Sequence, residues 1–143
     1  MLLGKPLEGP TVTVEALDHV NIITADIDGT SRFFAELLGL VRRDAPPPLT
    51  PQNAQWMYDG EGRAIVHLNS VDAPRTFDRA VATGSTGALH HVALRCSGYA
   101  EMVDRLESRG LEYQPNEVAG IGLRQLFVME PNGVLLELNF FGD

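Results

Sequence analysis

An α+β fold of two β-α-β-β-β modules is predicted for this chain of 143 residues, and three observations predict it. Leu17-Asp18-His19-Val20-Asn21 is echoed by Leu89-His90-His91-Val92-Ala93. Downstream, Ala64-Ile65-Val66-His67-Leu68-Asn69 is echoed by Val134-Leu135-Leu136-Glu137-Leu138-Asn139. His91 follows His19 by 72 residues and Glu137 follows His67 by 70, so the chain reads as a half-length module used twice. Between the echoes, each half holds one apolar run at helical spacing and short segments bounded by Gly, Pro and Asn.

The elements follow in order. Residues 1–15 form an arm, with Gly4, Pro6, Gly9 and Pro10 interrupting regular structure and a short strand expected at Thr11 to Val14. Residues 16–70 form the first module. In the strand Ala16 to Thr24, the period-two rule puts Leu17, His19, Asn21 and Ile23 on one face. A helix over Thr30 to Leu38 buries Phe33, Phe34, Leu37 and Leu38, and Gly39 supplies its C-terminal cap. Leu40 to Arg43 is a short strand. The Pro46-Pro47-Pro48 run belongs to a loop, because proline has no N–H to give to a sheet. Gln55 to Tyr58 and Arg63 to Asn69 make a hairpin over Asp59-Gly60-Glu61-Gly62.

Residues 71–88, small and polar, connect the modules, and residues 89–140 repeat the plan. Leu89 to Cys96 is a strand. Tyr99 to Arg109 is a helix with Met102, Val103 and Leu106 inward, and Gly110 ends it. Glu112 to Gln114 is a short strand closed by Pro115. Arg124 to Met129 and Val134 to Phe140 pair across Glu130-Pro131-Asn132-Gly133, where Asn-Gly favours a tight turn.

Composition narrows the function. The net charge of −8 and the scattered arginines argue against nucleic acid, whose phosphates select clustered cations. No apolar run approaches the ~20 residues that span a bilayer, so no membrane partner is expected. Cys96 is the sole cysteine, which fits a reducing compartment, and no secretory leader is evident. A cytoplasmic location is expected.

The chemistry rests on four side chains. His19 and His91 occupy equivalent places on the first strand of each module, and His67 and Glu137 on the fourth. Modules packed about a pseudo-twofold axis would bring the four together. Imidazole and carboxylate suit Zn, Ni, Co, Mn or Fe as divalent ions, and the absence of thiolate argues against a purely structural zinc site. A single histidine on a strand is usually structural. Four ligand-type residues at repeat-equivalent positions are not readily accidental, and a carboxylate in a strand as apolar as Val134 to Phe140 needs a partner. The expected cofactor is one divalent metal ion, held by His19, His67, His91 and Glu137. His90 alternates to the opposite face. Arg124, Trp56 and Phe127 are candidate substrate-binding residues, with Arg63, Tyr113 and Gln125 as further pocket candidates.

These motifs, with Phe33-Phe34 through Leu38-Gly39-Leu40 and Glu130-Pro131-Asn132-Gly133 through Leu136-Glu137-Leu138, resemble the vicinal oxygen chelate superfamily. That group includes glyoxalase I, extradiol dioxygenases and bleomycin resistance proteins. The resemblance spans Ala16 to Phe140, apart from the loop Asp44 to Gln55. It implies a cup-shaped curved mixed sheet, a homodimer, and metal ligands at His19, His67, His91 and Glu137. It also implies lyase or isomerase chemistry on a small oxygenated metabolite chelated by the metal, with Glu137 as the acid–base residue; His67 is the second acid–base candidate. Where many glyoxalases carry a carboxylate or amide, this chain has His67. Two alternatives stay open: an Fe(II) extradiol-type dioxygenase acting on a catechol, and a non-catalytic small-molecule binding protein of the antibiotic-sequestering kind. The sequence is compatible with a site completed within one chain or across a dimer.

Overall fold

The computed structural model describes Gly4 and residues 12–142. Two four-stranded mixed sheets repeat one topology, as the echoed sequence predicts. In the first, β1 (Val20–Thr24), β2 (Val41–Asp44), β3 (Ala54–Tyr58) and β4 (Ala64–Ser70) lie in the order β1-β4-β3-β2. In the second, β5 (Val92–Cys96), β6 (Tyr113–Val118), β7 (Leu123–Met129) and β8 (Leu135–Phe141) lie in the order β5-β8-β7-β6. β1 runs parallel to β4 and β5 parallel to β8, while the remaining pairs are antiparallel. Each parallel pair is joined by a crossover that contains the module's helix, as such pairing requires.

The first helix, α1 (Ile27–Arg32), starts three residues before the sequence pattern suggests. Asp26 explains the early start: its carboxylate accepts from the Gly29 amide at 2.9 Å, satisfying a donor that the first turn leaves unpaired. Such a cap contributes about 1 kcal/mol. The chain continues as a π-helical turn over Phe33–Leu37, which buries Phe34 and Leu37. Gly39 then stops it with φ of 72°, a left-handed value that glycine adopts without the Cβ clash. The second helix, α2 (Tyr99–Ser108), buries Met102 and Leu106.

One apolar core unites the modules. Ile22, Phe34, Leu37, Met57, Val66 and Leu68 from the first pack in the same cluster as Met102, Leu106, Leu126, Val128, Leu136, Leu138 and Phe140 from the second. Polar contacts reinforce the junction: Arg105 Nη1 donates to the Leu37 carbonyl at 3.0 Å, and Arg109 pairs with Glu36 at 2.9 Å. Residues 71–88 contain no helix or strand. They are tied down where the Gly84 amide donates to the Asn132 carbonyl at 3.2 Å. Gly133 beside it has φ of 90°, and a Cβ there would lie 2.5 Å from the Gly84 backbone, so this turn admits no side chain.

Three local expectations need correction. Residues 12–15 carry no strand, and the rest of the arm, apart from Gly4, lies outside the described residues. The first strand of each module starts late, at Val20 rather than Ala16 and at Val92 rather than Leu89, so His19 and His91 precede their strands. Pro115 does not end its strand; β6 runs on to Val118 with Pro115 opposite Leu126. It is tolerated because β6 is the edge of its sheet, where one side of each residue needs no ladder bond.

Candidate metal centre

Strand alternation decides which side chains can meet. Ile22, Val66, Leu68, Leu136, Leu138 and Phe140 point into the core. Their neighbours Asn21, His67, Asn69, Glu137 and Asn139 therefore project from the opposite faces of the two sheets. The ligand-type residues also cluster toward one side of each sheet. His19 leads into β1 and His67 is on adjacent β4, while His91 leads into β5 and Glu137 is on adjacent β8. β1 and β5 are terminal strands of their sheets, so both groups stand beside a sheet edge.

On the first sheet, three rings stack. Trp56 lies opposite His67 in the β3–β4 register, with ring centroids 3.9 Å apart and planes 8° from parallel. His19 stacks on His67 at 3.7 Å and 13°. Parallel rings at these separations cannot share one face, so His67 is sandwiched between Trp56 and His19. His67 is buried, and its imidazole pKa is lowered. The main cause is loss of water around the charged form; the charge His19 would carry adds to it, against smaller opposing contributions from the Ala64 backbone and Asp18. A neutral ring with an available lone pair is the form a metal or a proton-accepting role requires. His19 Nδ1 lies 2.6 Å from Asp18 Oδ1, and donation by that nitrogen leaves Nε2 with the lone pair.

The lowered pKa has a consequence for stability. In the metal-free protein, the stability associated with neutral His67 is fully present above the ordinary histidine value of 6.5 and is lost as pH falls through the lowered folded value. Between pH 7 and pH 5, the metal-free wild type should lose more thermal stability than His67→Gln, whose side chain does not titrate. Equal losses in the two proteins would contradict this.

On the second sheet, His91 Nε2 lies 3.5 Å from Glu137 Oε1. His91 Nδ1 meets His90 Nδ1 at 3.0 Å, so His90, expected on the opposite face, instead fixes the ring from its other nitrogen, because strand alternation begins only at Val92. Phe127, opposite Glu137 in the β7–β8 register, presents its ring edge-on to His91 with centroids 6.5 Å apart. Glu137 Oε2 accepts from Asn139 Nδ2 at 2.9 Å.

The donors suit a divalent ion. Ligand distances of about 2.0–2.2 Å place two donors on one ion roughly 3–3.5 Å apart, comparable to the His91–Glu137 spacing. The two pairs nevertheless stand on separate sheets. Among the described residues, no group of three or more His, Cys, Asp or Glu in one chain is arranged to hold a metal ion. A cavity of about 600 Å³ is lined by Leu17 and Asp18 from the approach to β1, by Ala93 and Arg95 from β5, and by Glu101 and Arg105 from α2.

The other sequence-derived candidates divide clearly. Trp56 and Phe127 touch the histidines, as described. Arg124 does not join them: it lies opposite Phe140 on the core-facing side of β7, and its guanidinium sits 3.9 Å over the Tyr99 ring. Gln125, one residue on, faces Asn139 instead. Arg63 pairs with Asp59 in the β3–β4 turn, and the Tyr113 hydroxyl donates to Glu107 at 2.8 Å. The sequence reading missed Asn139, which donates to Glu137. Parity along β8, counted from Glu137 to Asn139, is the signal that identifies it.

A family model described as the Glyoxalase/Bleomycin resistance protein/Dioxygenase superfamily matches residues 18–127, and the chain belongs to that superfamily. It is 26% identical over 137 residues to Glyoxylase I 4 of Arabidopsis thaliana, a match covering 94% of this chain and 73% of the plant protein. The fold is similar to that of a glyoxalase/dioxygenase from Nostoc punctiforme, with a TM-score of 0.68, 14% identity, and 95% and 100% of the two chains covered. It is also similar to lactoylglutathione lyase from Agrobacterium tumefaciens, with a TM-score of 0.62, 17% identity, and 89% and 94% coverage. At these identities the solved structures speak for the fold alone. Among the described residues, no helix is long and apolar enough to cross a membrane.

Proposed function

We propose that the protein is a divalent-metal-dependent enzyme of the glyoxalase type, catalysing lyase or isomerase chemistry on a small oxygenated metabolite. The observation that carries this reading is the pairing of ligand-type residues at repeat-equivalent places: His19 with His67, and His91 with Glu137. Each pair supplies two donors beside an open sheet edge. Laying a β1 edge beside a β5 edge brings the two pairs together, and a homodimer offers that arrangement through a second copy. Val12, Val14 and Leu17, 93%, 87% and 80% exposed on the approach to β1, support a partner there.

The bound ion supplies Lewis acidity, polarising neighbouring substrate oxygens and stabilising the charge that develops on them. The remaining work belongs to the protein. Glu137 Oε1 is the carboxylate oxygen not bonded to Asn139, and it serves as proton acceptor next to a carbonyl. His67, kept neutral by burial, is the second acid–base group and a ligand. Trp56 and Phe127 wall the site with apolar surface and exclude water. The metabolite is the small-molecule partner, and a cytoplasmic location remains part of the proposal.

One observation favours a second reading. The sandwich around His67 limits how freely that ring can turn, leaving His19, His91 and Glu137 as a two-histidine, one-carboxylate set. Such a set suits Fe(II) and extradiol-type oxygenation of a catechol. Metal content of protein prepared without chelators or tag-derived nickel, followed by reconstitution with Fe²⁺, Zn²⁺, Ni²⁺ and Mn²⁺, separates the two. The first reading expects one equivalent of metal per chain and no catechol-dependent oxygen uptake. Oxygen uptake dependent on Fe²⁺ and catechol would replace it with the second, and no stable metal under any condition would overturn both.

A further inference from the structure

Glu137 stands at the end of a line of amides that crosses the second sheet. Asn116 Nδ2 donates to Gln125 Oε1 at 2.8 Å, Gln125 Nε2 donates to Asn139 Oδ1 at 3.0 Å, and Asn139 Nδ2 donates to Glu137 Oε2 at 2.9 Å. The line begins on the edge strand β6, passes through β7, and ends on β8. Cross-strand register keeps its members in step, with Asn116 opposite Gln125 and Gln125 opposite Asn139. Every bond points the same way, each amide donating toward the carboxylate. Bonds aligned in this manner polarise one another and strengthen the last, charge-assisted one.

We infer that Asn139 is a positioning residue that ties up Glu137 Oε2, so that Glu137 presents only Oε1, on the His91 side, to a metal or a proton. The inference rests on the metal-dependent reading above. A carboxylate with one oxygen engaged binds a cation through the other, whereas a free carboxylate can close on the ion with both. The ladder also orients Gln125 and Asn139: a reversed Asn139 amide would put its carbonyl oxygen against Glu137 and its NH₂ against the Gln125 NH₂. The first module differs here. Asn69, the repeat counterpart of Asn139, accepts from Asn21 Nδ2 at 2.6 Å, so its substitution serves as a control on the same type of residue at the equivalent place.

The test compares full-length wild type with Asn139→Ala, Asn139→Asp and Asn69→Ala. Asn139→Asp keeps the size and the acceptor for Gln125 while removing the donor to Glu137, which guards against a folding defect in the alanine variant. Zn²⁺ affinity is measured by competition with a chromophoric chelator. Carboxylate infrared difference spectra on adding Zn²⁺ report one-oxygen against two-oxygen binding. The Asn139 side-chain amide resonances of the metal-free protein report the hydrogen bond itself. Wild type should show one-oxygen binding and Asn139 amide protons that shift in Glu137→Gln. Both Asn139 variants should keep metal stoichiometry and change the carboxylate splitting, and Asn139→Ala should bind Zn²⁺ about 10-fold or more weaker as is usual for groups that orient a ligand. Asn69→Ala should leave the splitting unchanged. An Asn139→Ala protein with wild-type affinity and splitting, or an Asn139→Asp protein with wild-type splitting, would overturn the inference while leaving the metal reading intact. A wild type that takes up no Zn²⁺ would overturn both.

Discussion

Replacing His91 by alanine is expected to abolish stoichiometric metal binding, taking a protein with one divalent ion per chain to one with essentially none. The second pair consists of His91 Nε2 and Glu137 Oε1, 3.5 Å apart, and losing the ring leaves one carboxylate on that sheet. His91 is exposed and packs on His90 and Phe127 rather than in the core, so the variant should fold as wild type does. Metal analysis after dialysis, with circular dichroism to verify the fold, reads the result. Full stoichiometry in folded His91→Ala would remove His91 from the ligand set. Glu137→Gln should lose affinity in the same direction, because an amide oxygen is a weaker donor than a carboxylate.

The largest effect on stability is expected at Phe140. Its ring is fully buried in the shared core and meets Tyr99 edge-to-face, with centroids 5.4 Å apart and planes at 89°. Truncation to alanine removes that contact and leaves a cavity between β8 and α2, at a cost of about 3–5 kcal/mol. Chemical denaturation should show the midpoint fall accordingly. A loss below about 1 kcal/mol would mean that this end of the core is not packed as described. Because Phe140 follows Asn139 on β8, the variant should also loosen the amide line and weaken metal binding, a coupling the purely polar substitutions do not have.

Much of the fold is legible in the sequence because the signals are local. Alternation in Leu135–Phe141, the helical spacing of Phe34 and Leu37, and Gly39 at a left-handed cap each specify structure without reference to distant residues. The echo of His19 by His91 then makes one module predict the other. What remains hidden depends on register between strands. Whether Arg124 or Gln125 faces Glu137 follows from the pairing of Phe127 with Glu137, a consequence of how the Glu130–Gly133 turn sets β7 against β8. The Trp56–His67 stack likewise depends on a pairing that shifts between Met57 and Tyr58. Pro115 misleads because an edge strand and a strand end make the same demand on a proline. The ligand-type residues are readable one by one from chemistry and repeat position. Their division into two pairs on separate sheets is not, because it depends on how the modules pack.

That division is the centre of the account, and a mixing experiment tests it most directly. One double variant carries His19→Ala and His67→Ala, and the other carries His91→Ala and Glu137→Ala; each alone should bind no stoichiometric metal. Unfolded together and refolded as a mixture, they form some dimers in which one site draws all four intact ligands from two different chains. Random pairing should then restore roughly a quarter of the wild-type metal per chain, since half the dimers are mixed and each mixed dimer has one complete site. Recovery at that level is the predicted result. No recovery in a mixture shown to contain mixed dimers would contradict a site shared between copies.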